Sequence, residues 1–285
     1  MIEAPIFNAT NLNGFMDHAT VRHVRFAAQA NGDDTVLMTF ADPTPSKALI
    51  GAARLNGQLA EPGRPDVLDV LTVPLPPQDN PSLREQLSNW VGASAVSGLA
   101  APIGTVFHGA HLFWRPGRAA ILAAPERMDL LLLALVDFGY YENELRKLEQ
   151  EIAEAWPELE ADSHLAHEVT RADLERRELV GRRMGQTLQR RMRFARLEPH
   201  LLQAPAHLSL QAQELGTRLR EKSRVEERLA AVERQLELFG HTYETASQKM
   251  ADFRAGSQER KLELMIVVLL AAETLLLLMS LLWTM

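Results

Sequence analysis

The residues that could do chemistry in this 285-residue chain are few and poorly grouped. His164 and His167 lie three apart with Glu168 beside them, a spacing that could begin a metal site on a helix. No third ligand accompanies them, so we favour a capping or solvated role for both histidines. His108 and His111 are three apart in a predicted strand, where they would point to opposite faces and could not chelate one ion together.

Motifs that are typical of catalysis are missing from the sequence. The chain has no cysteine, which excludes disulfides, thiolate metal sites and cysteine nucleophiles. It contains no phosphate-binding loop of the GxxxxGK or GxGxxG type and no GxSxG nucleophile turn. We therefore predict a protein that is not an enzyme and that holds no metal and no cofactor.

The most unusual chemical group is a carboxylate inside an apolar run near the end of the chain. Residues 264–283 are apolar apart from Glu273, Thr274 and Ser280. In a helix, about 20 residues rise about 30 Å, which is the thickness of the hydrocarbon core of a bilayer. The aliphatic side chains favour insertion by about 4–7 kcal/mol, against a cost of about 3 kcal/mol for the acid. The sequence therefore predicts a transmembrane anchor over 262–285.

The residues at the two ends of the anchor predict its orientation. The boundary residues are Arg260, Lys261 and Glu263 on the N-terminal side and Trp283 on the far side. No charged side chain follows Trp283, so the positive-inside rule places residues 1–261 in the cytoplasm or its equivalent. We expect a single-pass, tail-anchored membrane protein.

An acid within a membrane usually faces a helix bundle and has a partner there. The predicted span contains no base, so we expect Glu273 to hydrogen-bond, when protonated, to Glu273 of other subunits in a homo-oligomer. Ala271 and Ala272 beside it would allow the helices to approach closely. The alternative is a single polar residue that a leucine-rich anchor tolerates.

A regular pattern of apolar residues precedes the anchor. Spacings of four and three alternate along 225–253, which indicates a coiled-coil seam. The seam comprises Val225, Leu229, Val232, Leu236, Phe239, Tyr243, Ala246, Met250 and Phe253. We expect one continuous helix from about Ser209 into the anchor, overwound near Lys222 and bent near Gly256. A partner chain could fill the seam, and so could the apolar residues of 138–156 in the same chain.

Charge is distributed unevenly along the helices upstream of the seam. Residues 142–162 carry eight acids, and 176–196 carry eight arginines against Glu178 alone. We favour two adjacent helices that pack as a hairpin and neutralise each other. The alternative is an exposed basic helix that contacts RNA, a ribosome or anionic lipid. Its contact residues would be Arg182, Arg183, Arg190, Arg191 and Arg193.

The first part of the chain has short strand patterns separated by Gly, Pro, Asn and Asp. Helices are predicted at 46–55 and 82–100, and the turn at 115–118 predicts a β-hairpin. Further on, Pro157 and Pro199 are expected to end helices. The predicted fold class is α+β: a small head domain, long coiled-coil helices and one transmembrane helix. The predicted domains are a head at 1–125, a helical hairpin at 126–206, a stalk helix at 207–261 and the anchor at 262–285.

The C-terminal half resembles the YagE-like family, whose members include the proteins required for meiotic nuclear division. The resemblance rests on KLELMIVVLLAAE at 261–273, with Glu263 and Glu273 ten positions apart, on VDFGYYENELRKLEQEI at 136–152, and on RLEPHLLQAP at 196–205. Leu264 stands where that family usually has an aromatic residue. The resemblance implies a membrane-anchored, oligomeric protein without known catalysis. It implies the bacterial inner (cytoplasmic) membrane, or the mitochondrial inner membrane in a eukaryote.

Three functional hypotheses follow from these features. The first is a membrane-anchored oligomeric scaffold that tethers a cytoplasmic partner, which the resemblance suggests is the translation machinery. The second is a channel subunit with a ring of Glu273 side chains, although only one span is predicted and it has no polar face. The third is an RNA or ribosome binder that uses the arginine-rich helix, with binding that falls as salt rises.

Overall fold

The computed structural model describes residues 19–32, 34–50, 66–76, 80–92, 101–203 and 205–284; within the last range, the side chains of 276–278 and 280–284 are not described. These residues form seven strands and five α-helices. The strands are β1 (Thr20–Ala27), β2 (Thr35–Phe40), β3 (Ser46–Ile50), β4 (Val67–Pro74), β5 (Ile103–Phe107), β6 (Ala110–Arg115) and β7 (Arg118–Ala123). The helices are α1 (Pro81–Gly92), α2 (Met128–Asp162), α3 (Arg177–Leu202), α4 (Leu210–Lys222) and α5 (Val225–Thr284).

The strands form one mixed sheet in the order β2-β3-β1-β4-β7-β6-β5. Neighbouring strands are antiparallel except β4 and β7, which are parallel. Most of β4 and all of β7 are buried along their length. This is expected of central strands that are covered on both faces of a sheet.

Helices cover both faces of the sheet. On one face, α1 packs its buried leucines and Trp90 against β4 and β7. On the other face, α2 packs its aromatic residues against the strands: the Tyr140 ring stacks on Phe40 with 3.9 Å between ring centroids, and Phe138 meets Trp114 edge to face. A side chain at Gly139 would approach Leu68 to 3.2 Å, so glycine lets α2 lie close to β4.

The chain divides into two compact units. The first contains Met1–Glu151 and Met192–Glu233, and therefore the sheet with the helical segments packed on it. The second contains Ile152–Arg191 and Arg234–Met285, and its described part is helical apart from short turns.

The turns of the two consecutive hairpins use residues with positive φ. His108 and Gly109 (φ 47° and 82°) connect β5 to β6, and Gly117 (φ 80°) lies between β6 and β7. The hairpin predicted at 115–118 is therefore confirmed. The single strand predicted through His108 and His111 is wrong, because paired positive φ angles form the tight two-residue turn that joins two antiparallel strands.

The predicted fold class is wrong. A seven-stranded mixed sheet with five helices replaces the predicted head, long coiled-coil helices and transmembrane helix in the described residues. The helix predicted at 46–55 begins as a strand, β3, and its second half lies outside the described residues. Strand pairing with β1 and β2 outweighs the helical pattern of that segment, because pairing depends on residues distant in sequence.

The single helix predicted from Ser209 onward is interrupted at Ser223 and Arg224. Ser223 caps α4, and Arg224 has φ 51°, a left-handed conformation that cannot continue a right-handed helix. The interruption coincides with the irregular spacing near Lys222 that we expected only to overwind the helix. No interruption occurs at Gly256, which lies within α5.

Two prolines lie inside helices that we expected them to end. Pro157 is within α2 and Pro199 within α3. Pro157 is exposed, as is Ala153 one turn earlier, so water can solvate the carbonyl that the proline leaves without a donor. Buried Ile152 and Leu159 on either side of Pro157 fix the helix by tertiary packing.

The prediction of a membrane span is also wrong. In the described part of the chain, no helix combines the length and the apolar character that crossing a bilayer requires. The anchor at 262–285, the tail-anchored single-pass topology, the membrane as partner and the bacterial or mitochondrial inner-membrane location are corrected accordingly.

Candidate functional site

The C-terminal part of α5 exposes a continuous set of large apolar side chains. We call Leu262–Leu275 the apolar segment. Its residues favour helix, since neither glycine nor proline occurs after Gly256. At least 55% of the surface is exposed for every member of the following set: Leu262, Leu264, Met265, Ile266, Val267, Val268, Leu269, Leu270 and Leu275. Single exposed leucines are common on proteins, whereas contiguous exposed apolar patches are typical of interaction sites.

The apolar segment is apolar around the whole helix. Consecutive residues from Leu264 to Ala272 are apolar, so no polar face recurs at helical spacing. Ala271 and Ala272 are exposed, next to the exposed Glu273. One flat partner surface could cover only a part of this helix.

The polar residues of this region lie where the sequence predicts them, although the membrane boundary assigned to them no longer applies. Arg260, Lys261 and Glu263 are exposed at the start of the apolar segment. The hydroxyl of Thr274, beside Glu273, donates to the carbonyl oxygen of Leu270 at 3.0 Å. Trp283 belongs to α5, and its side chain lies outside the described residues.

The predicted seam is buried within a single chain. Each of the following residues is at most 3% exposed: Val225, Leu229, Val232, Leu236, Phe239, Tyr243, Ala246 and Met250. Phe253 is partly buried. Within the second unit, Trp156 of α2 packs edge to face on Phe239, with 5.5 Å between ring centroids. Of the two alternatives for the seam, the structure shows the one in which the chain fills it itself.

Arginines of α3 and of the short 3-10 turn before it pair with acids of α2. In the second unit, both Arg176 and Arg183 donate to the buried Asp162, and Arg183 also lies 3.2 Å from a Glu158 oxygen. These contacts are the ones that mutual neutralisation of the two helices predicts. Arg183 is therefore engaged inside the chain.

Arg193 is engaged in the same way in the first unit. Its guanidinium donates to Glu144 at 2.9 Å and to Glu151 at 2.6 Å. The other three arginines of the predicted polyanion contact differ: Arg182 and Arg191 are exposed and Arg190 is partly buried. The structure therefore pairs Arg183 and Arg193 with acids of α2 and places the Arg191 guanidinium beside Gly240 of α5.

The two histidine pairs do not assemble a metal site. His164 lies in a short 3-10 turn, where its Nδ1 is 3.0 Å from the Ala161 carbonyl oxygen and its Nε2 is 3.7 Å from an Asp173 oxygen. His108 occupies the β5–β6 turn. Among the described residues, no group of three or more His, Asp or Glu side chains could hold a metal ion.

A buried ion pair between Asp137 and Arg220 was missed by the sequence reasoning. Arg220 Nη2 donates to Asp137 Oδ2 at 3.2 Å and to the His200 carbonyl oxygen at 3.3 Å. Both side chains are more than 90% buried, and burial raises the pKa of Asp137 and lowers the pKa of Arg220. The one available signal was Asp137 itself, an acid in the apolar run that opens α2.

A second buried cluster joins α2 to α5 in the first unit. The Arg228 guanidinium donates to both oxygens of the fully buried Glu142, at 2.7 and 2.9 Å, and to both oxygens of Glu149, at 2.8 and 2.7 Å. Burial raises the pKa of Glu142. Paired guanidinium and carboxylate groups of this kind fix helix register. In both clusters the carboxylates are occupied by arginine guanidinium groups inside the packed unit, so we assign both to the fold.

Comparisons with known proteins identify no relative of this chain. No protein-family model, no curated protein and no solved structure matches this chain. The resemblance to the YagE-like family therefore stays a prediction, and the apolar segment is the candidate functional site.

Proposed function

We propose that the protein is a non-catalytic oligomeric scaffold in which the apolar segments of several copies pack together. The observation that carries the proposal is the exposure of large apolar side chains on every face of α5 between Leu262 and Leu275. A helix that is apolar all round is stable in water only when other apolar surface surrounds it. The channel alternative needed a membrane span, and we do not pursue it.

The magnitudes favour a bundle over a pair of helices. Burying the exposed part of one such side chain contributes about 1 kcal/mol, so the whole segment offers on the order of 10 kcal/mol per chain. Association itself costs an estimated 4–15 kcal/mol or more. Two helices cover less than half of each other, and the gain would then fall short of the cost. Three or more copies bury most of the segment and offset it.

Further copies of this chain are the simplest occupants. Each copy supplies the same apolar helix, and a closed symmetric bundle leaves no apolar face uncovered. Glu273 would lie in the interior of that bundle. A single polar residue in an apolar seam lowers stability but selects the number and register of the helices. Glu273 would thus select the number and register of the helices, whereas a leucine at this position would only strengthen their association.

The test is native mass spectrometry together with sedimentation velocity of the full chain over a range of concentrations. We expect one defined oligomer of three or more copies for the wild type. Val267→Asp with Leu270→Asp should dissociate it to monomers, because both substitutions place charge in the bundle. The matched control, Ala255→Asp with Gln258→Asp, adds the same charge to exposed positions upstream and should leave the mass unchanged.

Glu273→Leu should replace the single mass by a mixture, because the selecting polar residue is gone. A wild type that stays monomeric at every concentration would overturn the proposal. Binding of the wild type to phosphatidylcholine vesicles would also overturn the proposal. In that case the wild type floats with the vesicles and does not self-associate, and the chain with Val267→Asp and Leu270→Asp no longer floats.

A further inference from the structure

β5 is the last strand at one end of the sheet, so one of its sides has no neighbouring strand among the described residues. Its register with β6 is regular from Ile103 to Phe107, and Phe107 and Ala110 close the two-residue turn between the strands. Because hydrogen-bonded pairs alternate along antiparallel strands, the backbone groups of Gly104 and Val106 point away from β6. β5 therefore presents a regular edge to which another strand could add.

Two basic side chains of α4 occupy this edge within the first unit. Lys222 Nζ donates to the Gly104 carbonyl oxygen at 2.6 Å, and Arg218 Nη1 donates to the Val106 carbonyl oxygen at 3.2 Å. The Arg218 guanidinium also lies 5.3 Å from the centre of the Phe107 ring. Both carbonyl oxygens thus accept hydrogen bonds from side chains where a neighbouring strand would otherwise donate its N–H groups.

The opposite side of α4 holds the helix in the protein. Leu215 and Leu219 are fully buried, whereas Arg218 and Lys222, one helical turn apart, are exposed. The buried leucines and the exposed basic residues therefore have separate roles. Truncation of the basic side chains would uncover the β5 edge and leave the packing of α4 in place.

We propose that α4 covers the β5 edge, and that two copies of the chain without the Arg218 and Lys222 side chains join their β5 edges into one antiparallel sheet. The edge is self-complementary. When Thr105 lies opposite Thr105 of the partner subunit, Gly104 exchanges two hydrogen bonds with Val106 of the partner subunit, and Val106 does the same with Gly104 of the partner subunit. The inference is independent of the self-association of α5.

A second copy of β5 is the occupant that suits this edge. The strand, IGTVF, carries no charge that would repel an identical strand. Two identical edges also form a closed two-fold pair, which leaves neither edge open. The strand at the other end of the sheet, β2, is a poorer partner, because its register with β3 is interrupted by a bulge or irregularity.

The test is disulfide cross-linking of the full chain, which has no cysteine of its own. Facing residues of a non-hydrogen-bonded antiparallel pair have Cα atoms about 4.5 Å apart, within disulfide range, so Thr105→Cys reports the pairing. In oxidised glutathione, Thr105→Cys with Arg218→Ala and Lys222→Ala should give about tenfold more covalent dimer than Thr105→Cys alone. The reason is that two hydrogen bonds that compete with the second copy have been removed.

Three control variants accompany the test. Arg218→Lys with Lys222→Arg keeps both donors and should not raise the yield of dimer above that of Thr105→Cys alone. Val36→Cys, in place of Thr105→Cys, puts the thiol on the β2 edge and should give no added dimer with the same two alanines. Lys222→Ala alone should give an intermediate yield, and it tests the inference if the double alanine variant does not fold.

Three results would overturn the inference. The first is an equal yield of dimer with and without the alanine substitutions. The second is an equal yield from Val36→Cys, because the contact would then not be specific to β5. The third is a yield that rises only at temperatures where circular dichroism shows the alanine variant to be unfolded, because the dimer would then not reflect the uncovered edge.

Discussion

At the scale of single residues, buried polar groups connect distant parts of the first unit. Asp137 and Arg220 meet across 83 positions of sequence, and the hydroxyl of Tyr140 donates to the Thr44 carbonyl oxygen at 2.6 Å. Folding removes each of these groups from water and gives it a hydrogen-bond partner in the protein. The partner offsets part of the cost of burying each group, whereas removal of one member leaves the other unsatisfied.

Tyr140 gives a prediction about alkaline pH. Burial raises its pKa from 10.0 to about 12. The pKa of Tyr140 is higher in the folded protein than in the unfolded chain. Its contribution to the stability of the fold is therefore fully present below pH 10 and is lost as the pH rises toward 12. We expect Tyr140→Phe to cost about 1 kcal/mol at pH 8 through the lost hydrogen bond.

Between pH 10 and 12 the order should reverse, because the raised pKa of Tyr140 represents a stabilisation of about 2–3 kcal/mol that only the wild type loses. Urea unfolding of both proteins at several pH values measures the difference. Tyr141 and Tyr243 are present in both proteins, so their contributions to the pH dependence cancel in the difference. A difference that stays constant with pH would contradict this account of Tyr140.

At the scale of elements, the break between α4 and α5 depends on one residue with an unfavourable backbone conformation. Arg224 follows the cap residue Ser223 and has φ 51°, a region that costs a non-glycine residue about 1–2 kcal/mol. Glycine is the usual residue at this position after a helix. The sequence does not indicate the break, because arginine and serine are both compatible with a continuous helix.

We therefore expect Arg224→Gly to raise the free energy of unfolding by roughly 0.5–1 kcal/mol, the relief of strain being partly offset by chain entropy. Arg224→Ala is the control, since it removes the same exposed side chain and keeps the penalty for positive φ. Chemical denaturation measures both. A gain in the alanine variant equal to that in the glycine variant would show that the side chain, and not the backbone, determines the effect.

At the scale of the whole molecule, two apolar surfaces of α5 have different roles. The seam is buried by the chain itself, whereas the apolar segment is exposed. Substitution in the seam should thus lower stability, and substitution in the apolar segment should change assembly. Two adjacent residues, Phe239 at 2% and Leu238 at 47% exposure, allow the seam to be tested with its own control.

Phe239→Ala should lower the free energy of unfolding by about 3–5 kcal/mol, because it opens a cavity beside Trp156. The mass of the native assembly should stay that of the wild type. Leu238→Ala should change stability little. Dissociation of the assembly by Phe239→Ala alone would mean that the seam lies between chains and that the intrachain packing is incorrect.

Local patterns predict part of the fold well. Spacing alone identified the buried residues from Val225 to Met250, since a helix with that period must bury one stripe. The turn at Gly117 could be predicted because positive φ favours glycine over other residues. The candidate site was also visible as an apolar run, but length alone suggested a bilayer. Among the described residues, no helix is long and apolar enough to cross a membrane, so that interpretation is wrong.

What sequence alone determined is therefore local: the seam and its apolar character, the β6–β7 hairpin, and the opposite charges of α2 and α3. Tertiary structure decided which surface fills the seam, which arginines of α3 are paired, and that β4 pairs in parallel with β7. It also decided that α2 continues through Pro157, since packing on both sides outweighs a lost hydrogen bond. The physical reason is common to all four: periodicity and turn chemistry act between near neighbours, whereas burial depends on residues that folding brings together from distant positions.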